Sequence, residues 1–135
     1  MLATSVEIAA VGTRPQTDLE LLQGAWTAVA GPKEARLLIA GNRFAFEFLD
    51  SGVIYIGNFL LDTRSEPKQM DMRIDAGPDA YRGQLALCIY HLESDVLHWC
   101  PTRPGSGYRL DSFPSVDDDR YLSLVFKHSR PLRRR

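Results

Sequence analysis

Only two cysteines, three histidines and two tryptophans occur among the 135 residues, and neither sign of charge dominates. Sixteen Lys and Arg stand against seventeen Asp and Glu, a formal net charge of −1. That balance excludes a dedicated nucleic-acid binder, which needs a strongly basic face. No run approaches the roughly 20 apolar residues that a membrane-spanning helix requires. Repeats, low-complexity tracts and an internal domain boundary are missing as well. What is left is one domain, long enough to bury a core without metal or disulfide staples. Cys88 and Cys100 fit a reducing compartment as readily as a single bridge.

Met1 to Val11 is mildly apolar but carries Glu7 and lacks the basic start of a secretory signal; Ala9-Ala10 is its one cleavage-like feature. Residues 1–16 are therefore expected to be a flexible or lightly docked arm of a cytoplasmic protein. Residues 130–135, with Arg130 and Arg133 to Arg135, are expected to be a basic solvated tail. The domain itself is expected over 17–129.

Hydrophobic content, 44% of the chain, is distributed with the period of strands. One short helix is the exception. Thr17 followed by Glu20 has the spacing of a capping box, Asp18 and Glu20 suit the positive helix end, and Gly24 stops it. Beyond it, Arg43 to Phe48 alternates strictly with Phe44, Phe46 and Phe48 on one face. Met70, Met72 and Ile74 alternate in the same way with Gln69, Asp71, Arg73 and Asp75. Ala35 to Ala40, Val53 to Leu61 and Leu85 to Leu92 are more continuously apolar and are expected to be covered on both faces. Turn residues such as Gly41-Asn42, Asp50-Ser51-Gly52 and Pro104-Gly105-Ser106-Gly107 separate these runs. The pattern predicts about eight strands, at 25–30, 35–40, 43–49, 53–62, 68–75, 83–93, 96–101 and 120–128. Short strands at hairpin spacing imply an all-β, up-and-down antiparallel sheet, and closure into a barrel removes its exposed edges. The irregular stretch Thr102 to Asp119 is expected to pack through Tyr108, Leu110, Phe113 and Val116.

Gly24-Ala25-Trp26, opening the first strand behind a short helix, resembles the Gly-x-Trp signature of lipocalins and the wider calycin group. The resemblance implies that Trp26 plugs one barrel end, with a basic residue of the last strand, Lys127 or Arg130, on its ring. A longer set of blocks resembles an uncharacterised bacterial lipocalin-like family expanded in planctomycetes. Leu22 to Trp26, Tyr55 through Leu61-Asp62, Pro67 to Asp71, Ile89 to Leu97 and Cys100 occur in that family's order. The chain departs from it at Cys88 for a glycine, at Ser94 for a turn glycine, and at Tyr108-Arg109-Leu110 where Arg-Pro is usual. The family supplies no catalytic residue to carry over.

The hairpin from Leu85 to Pro101 is dense in reactive side chains. A two-residue turn at Ser94-Asp95 sets His91 opposite His98, Ile89 opposite Cys100 and Tyr90 opposite Trp99, leaving two free thiols; a three-residue turn would instead face Cys88 with Cys100. The shorter turn is the expectation. His91, His98 and Cys100 then share a face, in a spacing that fits no standard metal motif, so no metal is expected. A nucleophilic Cys88 or Cys100 would need a base such as His91 or His98 close by; inert burial is the simpler reading. Asp117-Asp118-Asp119 with Asp111 lacks the ligand spacing and glycine of a calcium loop.

Phe44, Phe46, Phe48, Tyr55, Met70, Met72, Tyr90 and Trp99 are the expected lining of an internal ligand cavity. The function expected is binding of a small hydrophobic or aromatic molecule, without cofactor, by a monomer or homodimer that engages neither nucleic acid nor membrane. The alternative is a cofactor-independent cyclase or isomerase, for example one closing a ring within a polyene. There Glu47, Tyr55 and Arg73 would be the catalytic candidates, Glu47 and Arg73 only if they faced inward.

Overall fold

The computed structural model describes residues 16–129, so residues 1–15 of the expected arm and the whole basic tail, with Arg130, lie outside the described residues. Thr17 caps helix α1 (Asp18–Leu22) as its spacing requires: its hydroxyl accepts from the Glu20 amide (3.1 Å), and the Glu20 carboxylate accepts from the Thr17 amide (2.9 Å). Eight strands follow: β1 (Gly24–Ala30), β2 (Ala35–Ala40), β3 (Arg43–Phe48), β4 (Ile54–Asp62), β5 (Lys68–Ala76), β6 (Leu85–Glu93), β7 (Val96–Pro101) and β8 (Leu124–Ser129). Each pairs antiparallel with the next, and β1 pairs with β8, closing a barrel of lipocalin-like, up-and-down topology. Among the described residues no helix is long and apolar enough to cross a membrane.

Period-two alternation assigns the interior. Trp26, Leu37, Ile39, Phe44, Phe46, Phe59, Met70, Met72, Ile74, Cys88, Tyr90, Leu97, Trp99, Leu124 and Phe126 form one buried cluster. Two of the three continuously apolar runs turn out to be one-sided. Leu38 in β2 is 51% exposed and Leu60 in β4 is 71% exposed, because among the described residues no segment covers the outer wall there. In β6 the run Cys88-Ile89-Tyr90 is buried on both faces, as is Cys100 of β7. The difference is the segment 102–123, which leaves β7, lies over the outer wall and returns to β8.

That segment is pinned at several points. The Arg109 guanidinium contacts the Asp71 carboxylate of β5 at 2.7 Å and donates to the Cys88 carbonyl of β6 at 3.0 Å. Phe113 stacks on His98 of β7, ring centres 4.1 Å apart. Leu110, Phe113 and Val116 are partly buried, whereas Tyr108 is 54% exposed and turns toward the barrel mouth rather than anchoring the segment. The last strand begins four residues later than expected, at Leu124, because Asp118 holds a turn: its carboxylate accepts from the Arg120 amide and its carbonyl from the Tyr121 amide.

One barrel end is closed. Trp26 is fully buried and donates from Nε1 to the Leu22 carbonyl (2.9 Å), tying α1 to the first strand. His128 packs against the Trp26 ring, ring centres 4.7 Å apart and planes nearly perpendicular, in place of the expected Lys127; Arg130 lies outside the described residues. Alternation in β8 explains the correction: His128 shares the inward parity of Leu124 and Phe126, while Lys127 points outward toward Asp95. The His128 Nε2–H donates to the Gln23 carbonyl (2.8 Å). Gly24 is required beside it, since its φ is 114° and a Cβ there would stand 2.8 Å from His128 Nε2. Tyr90 completes this end. Its hydroxyl donates to Asp18 Oδ2 (2.7 Å), and Lys68 Nζ donates to the same oxygen (2.9 Å).

The β6–β7 hairpin has the two-residue register, with Ile89 opposite Cys100, Tyr90 opposite Trp99 and His91 opposite His98. Cys88 and Cys100 are accordingly free and buried. Its first turn residue, Ser94, sits at φ 56°, in the left-handed region that disfavours a Cβ. Ser94→Gly is therefore expected to stabilise the fold by about 0.5–1 kcal/mol, read from the midpoint of urea unfolding.

Candidate functional site

Strand side chains fill the closed end completely but leave a cavity of about 410 Å³ toward the other. Its wall is aromatic. Phe44, Phe46 and Phe48 come from β3, Tyr55 from β4, Met72 and Ile74 from β5, Ala86 from β6 and Trp99 from β7. Phe46 stands at the centre, edge-on to Phe48 at 4.8 Å and tilted against Trp99 at 5.2 Å. Tyr81, in a 3-10 turn at Asp79–Tyr81, stacks on Tyr55 at 6.3 Å. Burial, and then the neighbouring Tyr81, raise the Tyr55 pKa, so its hydroxyl stays a neutral donor at physiological pH.

The mouth is built by the segment after β7. Its first limb brings Thr102, Arg103, Pro104, Ser106 and Tyr108, and its return limb Arg120, Tyr121 and Leu122. Backbone bonds hold the first limb in place: the Gly105 amide donates to the Leu85 carbonyl (3.0 Å), and the Thr102 hydroxyl to the Tyr108 carbonyl (2.8 Å).

Six of the residues expected to line a cavity therefore meet there: Phe44, Phe46, Phe48, Tyr55, Met72 and Trp99. Met70 and Tyr90 share their inward parity but lie deeper, fully packed at the closed end. Glu47 and Arg73 have the opposite parity. Glu47 lies on the outer wall 3.8 Å from Arg36, and Arg73 is exposed 3.9 Å from Asp75, so neither reaches the cavity. Alternation missed Tyr81, Arg103, Tyr121 and Leu122 because they stand in turns and loops without a period. For Arg103, Tyr121 and Leu122 the one sequence signal is the length of the stretch from Thr102 onward; Tyr81, in the turn between β5 and β6, has none.

Outside the barrel a second recess of about 650 Å³ lies between the wall and residues 111–113, bordered by Glu66, Lys68, His91, His98 and Phe113. It is bordered by charged groups, unlike the aromatic interior. His91 is exposed beside Glu93, whereas His98 Nε2 is 2.8 Å from the Ser123 hydroxyl under Phe113. Among the described residues no three His, Cys, Asp or Glu side chains are placed to hold a metal ion. Asp118 is committed to a forked pair with Arg120.

The chain matches no family model, no curated protein and no solved structure.

The titratable groups outside the cavity give two measurable outcomes. Burial pushes the Cys100 thiol up to about 11 and that of Cys88 higher still. Both are expected to resist a thiol reagent at pH 8 in the folded protein and to react fully in denaturant. Burial under Phe113, and then the neighbouring His91, lower the His98 pKa below its ordinary 6.5. The unfolded chain therefore takes up the proton first, and the stability that neutral His98 supports above about pH 6.5 is lost as pH falls through that value. Glu66, Lys68 and Asp111 border the same recess. His98→Gln is expected to flatten this part of the stability profile, measured by urea unfolding at a series of pH values.

Proposed function

We propose that the barrel binds a small, largely apolar or aromatic molecule in its internal cavity. The observation that carries this reading is the unfilled aromatic space of about 410 Å³ that opens at one end of an otherwise fully packed interior. Protein interiors are close-packed, so a cavity of this size lined by convergent aromatic rings is the usual form of a small-molecule site. Phe46, Phe48 and Trp99 supply flat apolar surface, while Tyr55 and Tyr81 place hydroxyl-bearing rings nearer the mouth. The ordered blocks that resemble the planctomycete lipocalin-like family support a barrel of this kind and add no ligand. The cyclase alternative would rest on Tyr55 alone, because Glu47 and Arg73 face solvent. Action as a cytoplasmic monomer or homodimer belongs to the same proposal.

The two tryptophans make the test direct, since Trp99 lines the cavity and Trp26 sits at the closed end. In the unmodified protein, a bound aromatic molecule such as phenylnaphthylamine is expected to quench the Trp99 share of the emission saturably. Ala86→Phe should fill the space and weaken that binding at least about tenfold without loss of thermal stability. Unchanged affinity in Ala86→Phe would place the binding elsewhere.

A further inference from the structure

We propose that the molecule held in the cavity carries an anionic group at its outer end, and that Arg103 receives it. This rests on the cavity reading and specifies the ligand class: an apolar body with a carboxylate, sulfonate or phosphate at the mouth. The charge balance at the mouth points to it. Among the described residues no Asp or Glu lines the cavity, although acidic residues outnumber basic ones in the chain; the two charged groups that do line it are Arg103 and Arg120. Arg120 is already neutralised, since its Nε and Nη2 donate to the two carboxylate oxygens of Asp118 at 2.9 and 2.8 Å. Arg103 has no ion-pair partner among the described residues, so one uncompensated guanidinium stands at the rim of an apolar space.

Its position is held by the backbone. Ser106 donates from its amide to the Arg103 carbonyl at 3.0 Å, closing a four-residue turn with Pro104 and then Gly105 at its centre. Pro104 fixes φ at the second position, and Gly105 has the positive φ, 84°, that a type II turn demands at the third. The Gly105 amide binds the Leu85 carbonyl at 3.0 Å, tying this turn to the start of β6. The turn fixes the point from which the Arg103 side chain starts, and its planar donors match the oxygens of an anion. Further inward the wall is mostly rings and aliphatic carbon; its polar atoms, such as the Tyr55 hydroxyl and the Trp99 Nε1–H, are neutral and no charged side chain stands there, so the charged group stays at the rim.

A matched pair of probes isolates the charge: anilinonaphthalene sulfonate and its uncharged parent, phenylnaphthylamine, each displaced by the other to show a shared site. At low ionic strength the sulfonate is expected to bind about fivefold more tightly, with the preference shrinking as salt is added. Arg103→Gln should abolish the preference while leaving the affinity for the uncharged probe within about twofold, and Arg103→Lys should retain most of it. Inorganic sulfate replacing chloride at constant ionic strength should leave the bound sulfonate probe in place. Equal binding of the two probes, or a preference that survives Arg103→Gln, would overturn the assignment and leave the cavity reading standing. Displacement by inorganic sulfate would make Arg103 a free-anion site, overturning the link to an apolar body. Failure of phenylnaphthylamine to bind at all would remove the cavity reading, and this inference with it.

Discussion

The Trp26 indole is held from two directions, its N–H on the Leu22 carbonyl and its face against the edge of His128. This contact joins the helix, the first strand and the last strand at one point, and the rest of the barrel depends on it. Side chains on a strand alternate with a period of two, so a one-residue slip between β1 and β8 would turn every inward residue of one strand outward. With Trp26 locked inside, the parity of β1 is fixed. Each ladder then passes that parity to the next strand, until β8 returns His128 to the same indole.

From that end the interior tapers in composition. Along β6 the inward residues run Ala86, Cys88, Tyr90, from small at the mouth to large at the base. Tyr90 reaches Asp18 and Lys68 and leaves no room; Ala86 leaves the aromatic ring set of β3, β4 and β7 facing open space. The cavity thus arises from side-chain volume at a few positions, on a frame whose register shifts between Ala28 and Ala30 of β1 and between Ile56 and Gly57 of β4. The aromatic rings around it contact one another, Phe48 edge-on to both Phe46 and Tyr55 and Phe46 tilted against Trp99.

Strong periodicity and turn chemistry make several elements legible in the amino-acid sequence by itself: the capped helix, the eight strands, the two-residue turn at Ser94-Asp95 and its cross-strand partners. Alternation also tells which residues share a face, and six of the eight expected lining residues do meet in the cavity. It does not tell depth along the barrel axis, which is why Met70 and Tyr90 belong to the packed base. Nor does apolar content alone tell which outer walls are covered. Ile89 and Cys100 are buried by a segment whose own sequence is aperiodic, while among the described residues no segment covers Leu38 and Leu60. His128 packs on the indole where Lys127 could not, because inward parity decides which residue of β8 can touch Trp26. The mouth is least legible, since loop residues from distant positions meet there only after the barrel has closed.

Strands β7 and β8 are neighbours in the barrel, yet the chain between them runs over 102–123 where a short hairpin turn would suffice to join them. The surplus is clamped by Arg109, which grips Asp71 and the Cys88 carbonyl, and by the Gly105 amide on the Leu85 carbonyl, and both of its limbs arrive at the entrance. Frame and entrance are consequently written in different parts of the sequence. The limbs can accumulate substitutions, insertions or deletions without touching a ladder hydrogen bond, provided the clamp remains. This is the division of labour of a scaffold with a variable rim, and it gives the fold a route by which related chains could diverge in what they admit while keeping the same walls.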